Sequence, residues 1–456
     1  MKIMRAAIFV TTLLAFALVA VGQTSRGTVS GVVADPAGAV VPGATITLTG
    51  SDTGLSRTAT TNDEGFYRFD AVDLGTYTVQ ITATGFGALT KTNITVNANQ
   101  TSVVDAQLTL GGQQITVDVV AEAGAALQTE APVRGGNIST QQITELPFAG
   151  RNPVALALTL PGVSSNRGGF GVGTFSVNGA RGRSNNFLID GTENNDISVA
   201  GQGFQITNPD AVAEVSVQTS NYDSEFGRAG GAVVNVITKS GTNEFHGTAA
   251  FFLDSTRDDA ITSRESRNPV VIARGHPNSG TQNIYSGTIG GPIVRNRTFF
   301  FGAYQEDRRR SSASSQLATL TQAGRDRLRQ LFPAGASANV DLYLAATANT
   351  VANASPINIA LGTVNGVDRG NIEFGDFFRN FASIDNFRQY QVRIDHKLGE
   401  EDQLSGRFLS NTQDNPLGGV AGFPGFDADF TSRLYNFQVA ETHVFSSALT
   451  NELRLS

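Results

Sequence analysis

From Arg26 to Leu110, apolar and polar residues alternate in short runs cut by turn residues. Thr28–Val33 alternates ahead of a turn at Asp35-Pro-Ala-Gly38. In Ala44–Thr49, Ala44, Ile46 and Leu48 share one face, and Thr45, Thr47 and Thr49 share the other. A second turn at Asn62–Gly65 precedes Phe66–Phe69, and Leu74–Ile81, Asn93–Val96 and Val103–Leu110 continue the series. About seven strands with regular turn signals and no helical period predict a small β-sandwich over residues 26–110. The aromatic residues Phe66, Tyr67 and Phe86 are read as core packing rather than as a sugar-binding surface.

The pattern loosens after the sandwich. Residues 111–122 read as a linker, and 123–240 as an α+β segment. Ile143–Pro147 and Asn152–Gly162 suggest one short helix between prolines. Phe175–Arg183 is a strand running into a glycine-rich turn, followed by Asn185–Gly191. Ala232–Thr238 is β-branched and has the composition of a buried strand. Gly227, Gly230 and Gly231 precede it, where the backbone must turn tightly or approach another closely. Lys239–Asn243 then reads as a turn.

Beyond Phe245 the alternating segments lengthen. Tyr390, Val392 and Ile394 point one way, and Gln389, Gln391, Arg393 and Asp395 the other. Tyr435, Phe437 and Val439 face away from Asn436, Gln438 and Thr442. Periodicity alone fits either a soluble sandwich or a membrane barrel wall. Loop lengths separate the two readings. Short turns at Gly291–Arg297, Leu398–Asp402 and Ser446–Thr450 alternate with long connections at Asp254–Asn283, Gln305–Phe387 and Asn411–Arg433. That is the habit of outer-membrane barrels. Residues 241–456 are therefore expected to be the first strands of a transmembrane antiparallel β-barrel, incomplete in this chain.

Composition adds compartment. Lys2 and Arg5 precede an apolar run, Ala6–Val21, which is shorter than the roughly 20 residues a spanning helix needs. Residues 1–22 are expected to be a Sec-type signal peptide cleaved near Gly22/Gln23. With 456 residues, length allows roughly three domains of about 150 residues each. Charged residues are 16% of the chain and the formal charge is −7, which gives no support for nucleic-acid binding. The absence of cysteine excludes disulfides, thiolate metal sites, cysteine nucleophiles and a lipoprotein anchor. Arg308–Arg310 reads as a solvated charge run.

Catalytic motifs are missing. The chain has no phosphate-binding loop, GxSxG or HExxH, and in Gly169–Gly173 the third glycine of a dinucleotide fingerprint is replaced by Ser176. Asp190–Asp196 spaces oxygen ligands suggestively but departs from a calcium loop. No metal site, no cofactor and no enzyme activity are expected.

The wording of several segments is specific. GVVADPAGAVVPGA, TNDEGFYRF and LGTYTVQITATGF resemble the carboxypeptidase-regulatory-like domain, a transthyretin-like sandwich that accompanies catalytic domains without being one. EFGRAGGAVVNVITKSGTNEFHG, VNGARGRSNNFLIDG and NPDAVAEVSVQTSNYDSEFGRAGG resemble the plug of TonB-dependent outer-membrane receptors, in their Oar-like branch. The resemblance implies an all-β chain: sandwich, α+β plug, then barrel. It implies ligand reception or transport across the outer membrane, driven by a TonB-type energy-transducing protein of the inner membrane. Outer-membrane lipid and an unidentified ligand, a carbohydrate or a peptide among the options, are the other partners. Ile115–Glu122 resembles a TonB box, with Thr116, Val117, Asp118, Val119 and Val120 as candidates; a last sandwich strand or a linker strand is the equal alternative. Asn178, Gly179, Arg181, Asp190, Gly191, Glu214, Glu225, Gly227, Arg228 and Gly231 are the plug-motif candidates for contacts within the plug or against the wall.

Six strands and the start of a seventh can be traced, whereas plugged transporters use about 22. This chain is therefore expected to be the N-terminal part of a longer protein. Two rival readings predict different behaviour. A surface carbohydrate-binding or adhesion protein built on sandwich modules would be soluble without detergent. A secreted carboxypeptidase would hydrolyse peptides with a metal for which no ligands stand in the sequence.

Overall fold

The computed structural model describes residues 26–111, 115–118, 134–148, 151–165, 175–198, 201–222, 226–227, 229–261, 263, 265–267, 269–277, 279–399, 401–416, 428–446 and 449–456. The expected signal segment and Gly169–Gly173 lie outside them.

The sandwich has two facing sheets. The first contains β1 (Gly27–Ala34), β4 (Phe66–Val72), β7 (Thr101–Val103) and β8 (Ala106–Gln107), with β1 central. The second runs β3 (Ser56–Thr60), β2 (Thr45–Gly50), β5 (Gly75–Thr82), β6 (Leu89–Val96) and β9 (Ile115–Asp118). The alternation in β2 is realised: Ala44, Ile46 and Leu48 are buried and pack with Val29, Phe69, Val79 and Ile81. Tyr67 also belongs to this core and spends its hydroxyl on the Val104 carbonyl at 2.7 Å, as a buried phenol must. Phe86 packs against the same cluster.

The second layer is a mixed sheet. Its order is β10 (Arg134–Ser139), β15 (Val212–Ser220), β16 (Val233–Thr238), β13 (Asn186–Ile189) and β14 (Thr192–Glu193), with β13 and β16 parallel. A small hairpin of β11 (Val163–Ser165) and β12 (Phe175–Val177) lies beside it. The backbones of β10 and β15 approach so closely that a Cβ on Gly135 would stand 2.0 Å from the Val217 carbonyl oxygen. The expected single helix is two elements. Thr140–Glu145 is an α-helix started by a Ser139–Gln142 capping box and stopped ahead of Pro147, and Pro153–Thr159 is a 3-10 helix capped by Asn152. Two prolines that each favour a helix start or stop divide the segment.

The third layer is one antiparallel sheet in sequence order: β17 (His246–Ser255), β18 (Gly280–Val294), β19 (Thr298–Leu320), β23 (Asn371–Lys397), β24 (Asp402–Asn415), β25 (Phe430–Ser446) and β26 (Leu449–Leu455). It does not close on itself; β17 and β26 stand at its two ends. One face presents Tyr390, Val392, Ile394, Phe408, Tyr435, Phe437 and Val439 outward, all exposed. The other turns Gln305, Gln389, Gln391, Arg407 and Gln438 onto the middle layer, where they are buried. On the outer face Tyr304 and Tyr390 pair with ring centroids 5.0 Å apart, and Phe408 stacks on Tyr435.

The expected long loop Gln305–Phe387 is largely strand. β19 and β23 pair without a break from Thr298↔His396 to Leu320↔Phe374. Past the apolar band β19 reads Arg308-Arg-Arg-Ser-Ser-Ala-Ser-Ser-Gln316 with no apolar face, so its side-chain alternation fades while the backbone ladder continues. The hairpin's far end carries β20 (Ala354–Ala360), β21 (Thr363–Val364), β22 (Val367–Asp368), and helices Gln322–Leu331 and Ala338–Ala346 around Leu320, Leu344 and Ile372.

Candidate functional site: a plug latched to the barrel wall

The middle layer and the wall share one core. Phe301 and Leu409 leave the wall, at 1% and 0% exposure, to pack with Phe187, Ile189, Val215 and Val236. Around this apolar centre lie three polar contacts.

The first is built on Asp190 and Gly191, which follow β13. Both have positive φ, 47° and 76°, so the chain reverses there. Asp190 Oδ1 accepts from the Thr238 amide at 2.8 Å; Oδ2 accepts from the Thr238 hydroxyl at 2.8 Å and from Arg407 Nη1 at 2.7 Å. Arg393 lies 3.7 Å from the same carboxylate, and donates to the Thr238 carbonyl and to Asp395. Gln438 donates to the Asp190 carbonyl at 3.1 Å and Arg454 to the Gly191 carbonyl at 3.4 Å. Gly191 has φ +76°, which favours glycine, and a Cβ there would stand 2.4 Å from Arg454 Nη1, so the guanidinium would have to shift. Four consecutive wall strands, β23 to β26, thus hold one dipeptide. A carboxylate this deep is tolerable because paired charge and donors replace its water.

The second contact is uncharged. Gln305, Gln389 and Asn411 are cross-strand neighbours on β19, β23 and β24. Gln389 accepts from the Thr207 amide at 3.1 Å and donates to the Gln205 carbonyl at 2.7 Å; Asn411 donates to that carbonyl and Gln305 to the Thr207 hydroxyl. The loop Gln205–Asn208 was missed by sequence reasoning. Its signal was the inward run of amides opposite it, which names a polar partner without locating it.

The third joins the sandwich to both other layers. Arg26 donates to the Thr442 hydroxyl at 2.6 Å and pairs with Asp73 at 2.8 Å, while Gln403 donates to Asp73 at 2.7 Å. Asn243 bonds the Asp52 and Thr53 carbonyls. The Ala98 amide donates to Glu214 Oε1 at 3.2 Å, and Asn137 donates to the Ala98 carbonyl at 3.0 Å. A cavity of about 180 Å3 remains between the three layers, lined by Arg26, Asp73, Asp190, Arg393, Arg407 and Glu452 among others.

Burial pushes the Glu214 carboxyl up to about 8, partly offset by the Ala98 amide. An exposed glutamate titrates near 4.3. The docked form therefore keeps a proton that the undocked form loses. Docking of the sandwich is expected to be strongest below about pH 4, to weaken as pH rises towards about 8, and to level off above. Hydrogen exchange of the Ala98 amide as a function of pH checks this: Glu214→Gln should flatten the profile, and a wild-type profile already flat across that window would refute it.

The other candidates are scattered. Thr116 and Val117 lie on β9, parallel to β6 with Thr90↔Thr116 and Lys91↔Val117, and both are exposed; Asp118 ends that strand, and Val119 and Val120 lie outside the described residues. Asn178 and Gly179, φ 50° and 78°, make the turn after β12, where Asn178 donates to the Thr219 carbonyl. Arg181 is exposed ahead of a 3-10 turn, and Gly227 is exposed. A Cβ on Gly231 would meet Asn185 Oδ1 at 2.4 Å. Glu225 and Arg228 lie outside the described residues. Of the motif, then, Asp190 and Gly191 reach the wall and Glu214 reaches the sandwich. The suggestive oxygens of Asp190–Asp196 do not converge: Asp190 serves Thr238 and Arg407, and Asp196 serves Ser198.

Comparison with known sequence families agrees with this architecture. Residues 28–109 match the carboxypeptidase regulatory-like domain, 127–234 the TonB-dependent receptor plug domain, and 237–456 an outer membrane beta barrel domain. The chain is 26% identical over 274 residues to the TonB-dependent transporter Oar of Myxococcus xanthus, covering 58% of this chain and 25% of that protein. The chain thus spans about a quarter of the length of that relative. Among solved structures it is similar to the outer membrane transporter YddB from Escherichia coli (TM-score 0.46, 14% identity, 70% of this chain and 38% of that one). It is also similar to the ferric enterobactin receptor PfeA from Pseudomonas aeruginosa (TM-score 0.37, 14% identity, 69% and 38%). The three domain matches in this order, with the Oar relative, give the conclusion: the chain belongs to the TonB-dependent outer-membrane receptors, Oar-like, with a carboxypeptidase regulatory-like domain ahead of the plug.

Proposed function

We propose that this protein carries a ligand across the outer membrane, with the plug as its gate and a TonB-type protein of the inner membrane as its source of work. The observation that carries the reading is the Asp190–Gly191 latch. It ties the plug to four wall strands through a few replaceable polar contacts rather than through apolar burial alone. Polar contacts of this kind can exchange for water when the plug is pulled, which a continuous apolar seam resists. No catalytic role is proposed for any residue. The division into sandwich (26–110), linker (111–122, whose β9 adds a last strand to the sandwich's second sheet), plug (123–240) and wall (241–456), and signal cleavage near Gly22/Gln23, belong to the same proposal.

The energy-transducing partner would engage Thr116–Val120. β9 is the last strand of its sheet, bonded to β6 along one edge. Among the described residues its other edge is unpaired, which would let a partner strand join by β-augmentation without undoing the sandwich. A Val117→Cys variant should form a disulfide with a cysteine-bearing TonB-type partner in energised cells, and more so when ligand is present. Equal crosslinking from an exposed control cysteine at Val103, on the opposite sheet, would sink the assignment.

A further inference from the structure

On the outer face of the wall, at the end nearest the sandwich, we infer that Asp402, Glu441 and His443 form a binding site for a divalent metal ion of the zinc class. The inference rests on the outer-membrane reading of the wall, because that reading makes this face meet lipid.

The strand pattern places the three side chains together. Asp402 opens β24 and stands directly opposite His443 on β25; Glu441 lies two residues before His443, hence on the same face. That face is the outer one, since Gln438, Ala440 and Thr442 between them are buried inward and Thr442 accepts from Arg26. One donor atom from each of the three residues lies within 4.8 Å of the other two. His443 Nδ1 and Asp402 Oδ1 are 2.5 Å apart and share a hydrogen.

Two arguments select a cation. Glu441 is flanked by Leu404 and Leu453 directly across the sheet and by Val439 along its own strand. A carboxylate set among outward leucines and valine at a lipid boundary needs a counter-charge. Among the described residues no lysine or arginine salt bridge reaches Glu441 or Asp402; the ion pair that Asp402 makes is with His443.

The donor set then selects the metal. One imidazole nitrogen and two carboxylate oxygens suit zinc, which binds them at about 2.0–2.2 Å and leaves a fourth position for water or a lipid phosphate. Binding exchanges the hydrogen between His443 and Asp402 for the cation; the proton leaves to solvent, and the donors separate by roughly 1 Å to the spacing of tetrahedral zinc. The ion would rivet β24 to β25 where the wall leaves the apolar band.

The test uses the detergent-extracted full protein, stripped with chelator and titrated with zinc chloride by calorimetry. One zinc per chain is expected, and His443→Asn and Glu441→Gln should each weaken it by roughly tenfold or more, since each removes one of three ligands. Heat-modifiable gel migration reports that each variant is folded, and folded variants that bind zinc like wild type overturn the site. Calcium binding as tight as zinc and indifferent to His443→Asn would also overturn it, because it would leave only acidic groups. Transport of ligand is scored separately in the same preparations. A transporter without zinc would fail this inference alone, and a zinc site in a protein that transports nothing would fail the proposed function alone.

Discussion

Asp190→Ala should unseat the plug from the wall, with a loss of about 3–5 kcal/mol of stability, the range found when one partner of a buried ion pair is removed. The cost comes from what is left behind. Arg407 is 5% exposed and would keep its charge with Asn436 as its remaining close partner, while the Thr238 amide and hydroxyl would lose their acceptor. Asp190→Asn should be milder, since an amide oxygen still accepts from Thr238. Pairing Asp190→Ala with Arg407→Ala should recover part of the loss, because the orphaned charge goes with it. Urea denaturation in detergent measures all three variants, and protease sensitivity near Thr238 reports release of the plug. If Asp190→Ala costs under about 1 kcal/mol, the latch is no latch.

The second large effect should come from Phe187→Ala, with a loss of about 3–5 kcal/mol. Phe187 is 1% exposed and meets Phe175 edge-on with ring centroids 6.0 Å apart. It sits in the cluster that includes Phe301 and Leu409 of the wall, so the cavity would open at the seam between two layers. Both thermal unfolding and plug retention should therefore suffer. Leu158→Ala is the control: at 45% exposure its loss should stay within about 0.5 kcal/mol. Equal losses in the two variants would mean that the shared core does not hold the layers together.

The candidate site was half visible before any coordinates. Asp190 and Gly191 stand among the plug-motif candidates that the resemblance implies, and Gln389, Gln391, Arg393 and Gln438 form a polar face by alternation. Nothing in the string says that Arg407, more than two hundred positions later, is the cation Asp190 meets. Glu214 could be named as a plug residue, yet its contact with the Ala98 amide of the sandwich depends on two domains docking, which no local pattern encodes. The β19–β23 hairpin was under-read for a different reason. Serine, arginine and threonine alternate with one another in water as easily as they form a loop.

What the amino-acid order by itself determined is everything that depends on neighbours a few positions apart. This includes the sandwich strands with their inward Ile46 and Leu48, the buried Val233–Thr238 strand, and the two-faced wall with tyrosines outside and amides within. Those follow from a period of two and from turn residues, which act through local sterics and burial. Tertiary structure alone decided which polar group meets which: Asp190 with Arg407, Gln389 with the loop at Gln205, Glu214 with Ala98, and Asp402 with His443. The physical reason is that a buried polar atom is satisfied by whatever donor or acceptor the packing brings within about 3 Å, and that partner is chosen by the fold rather than by distance along the chain.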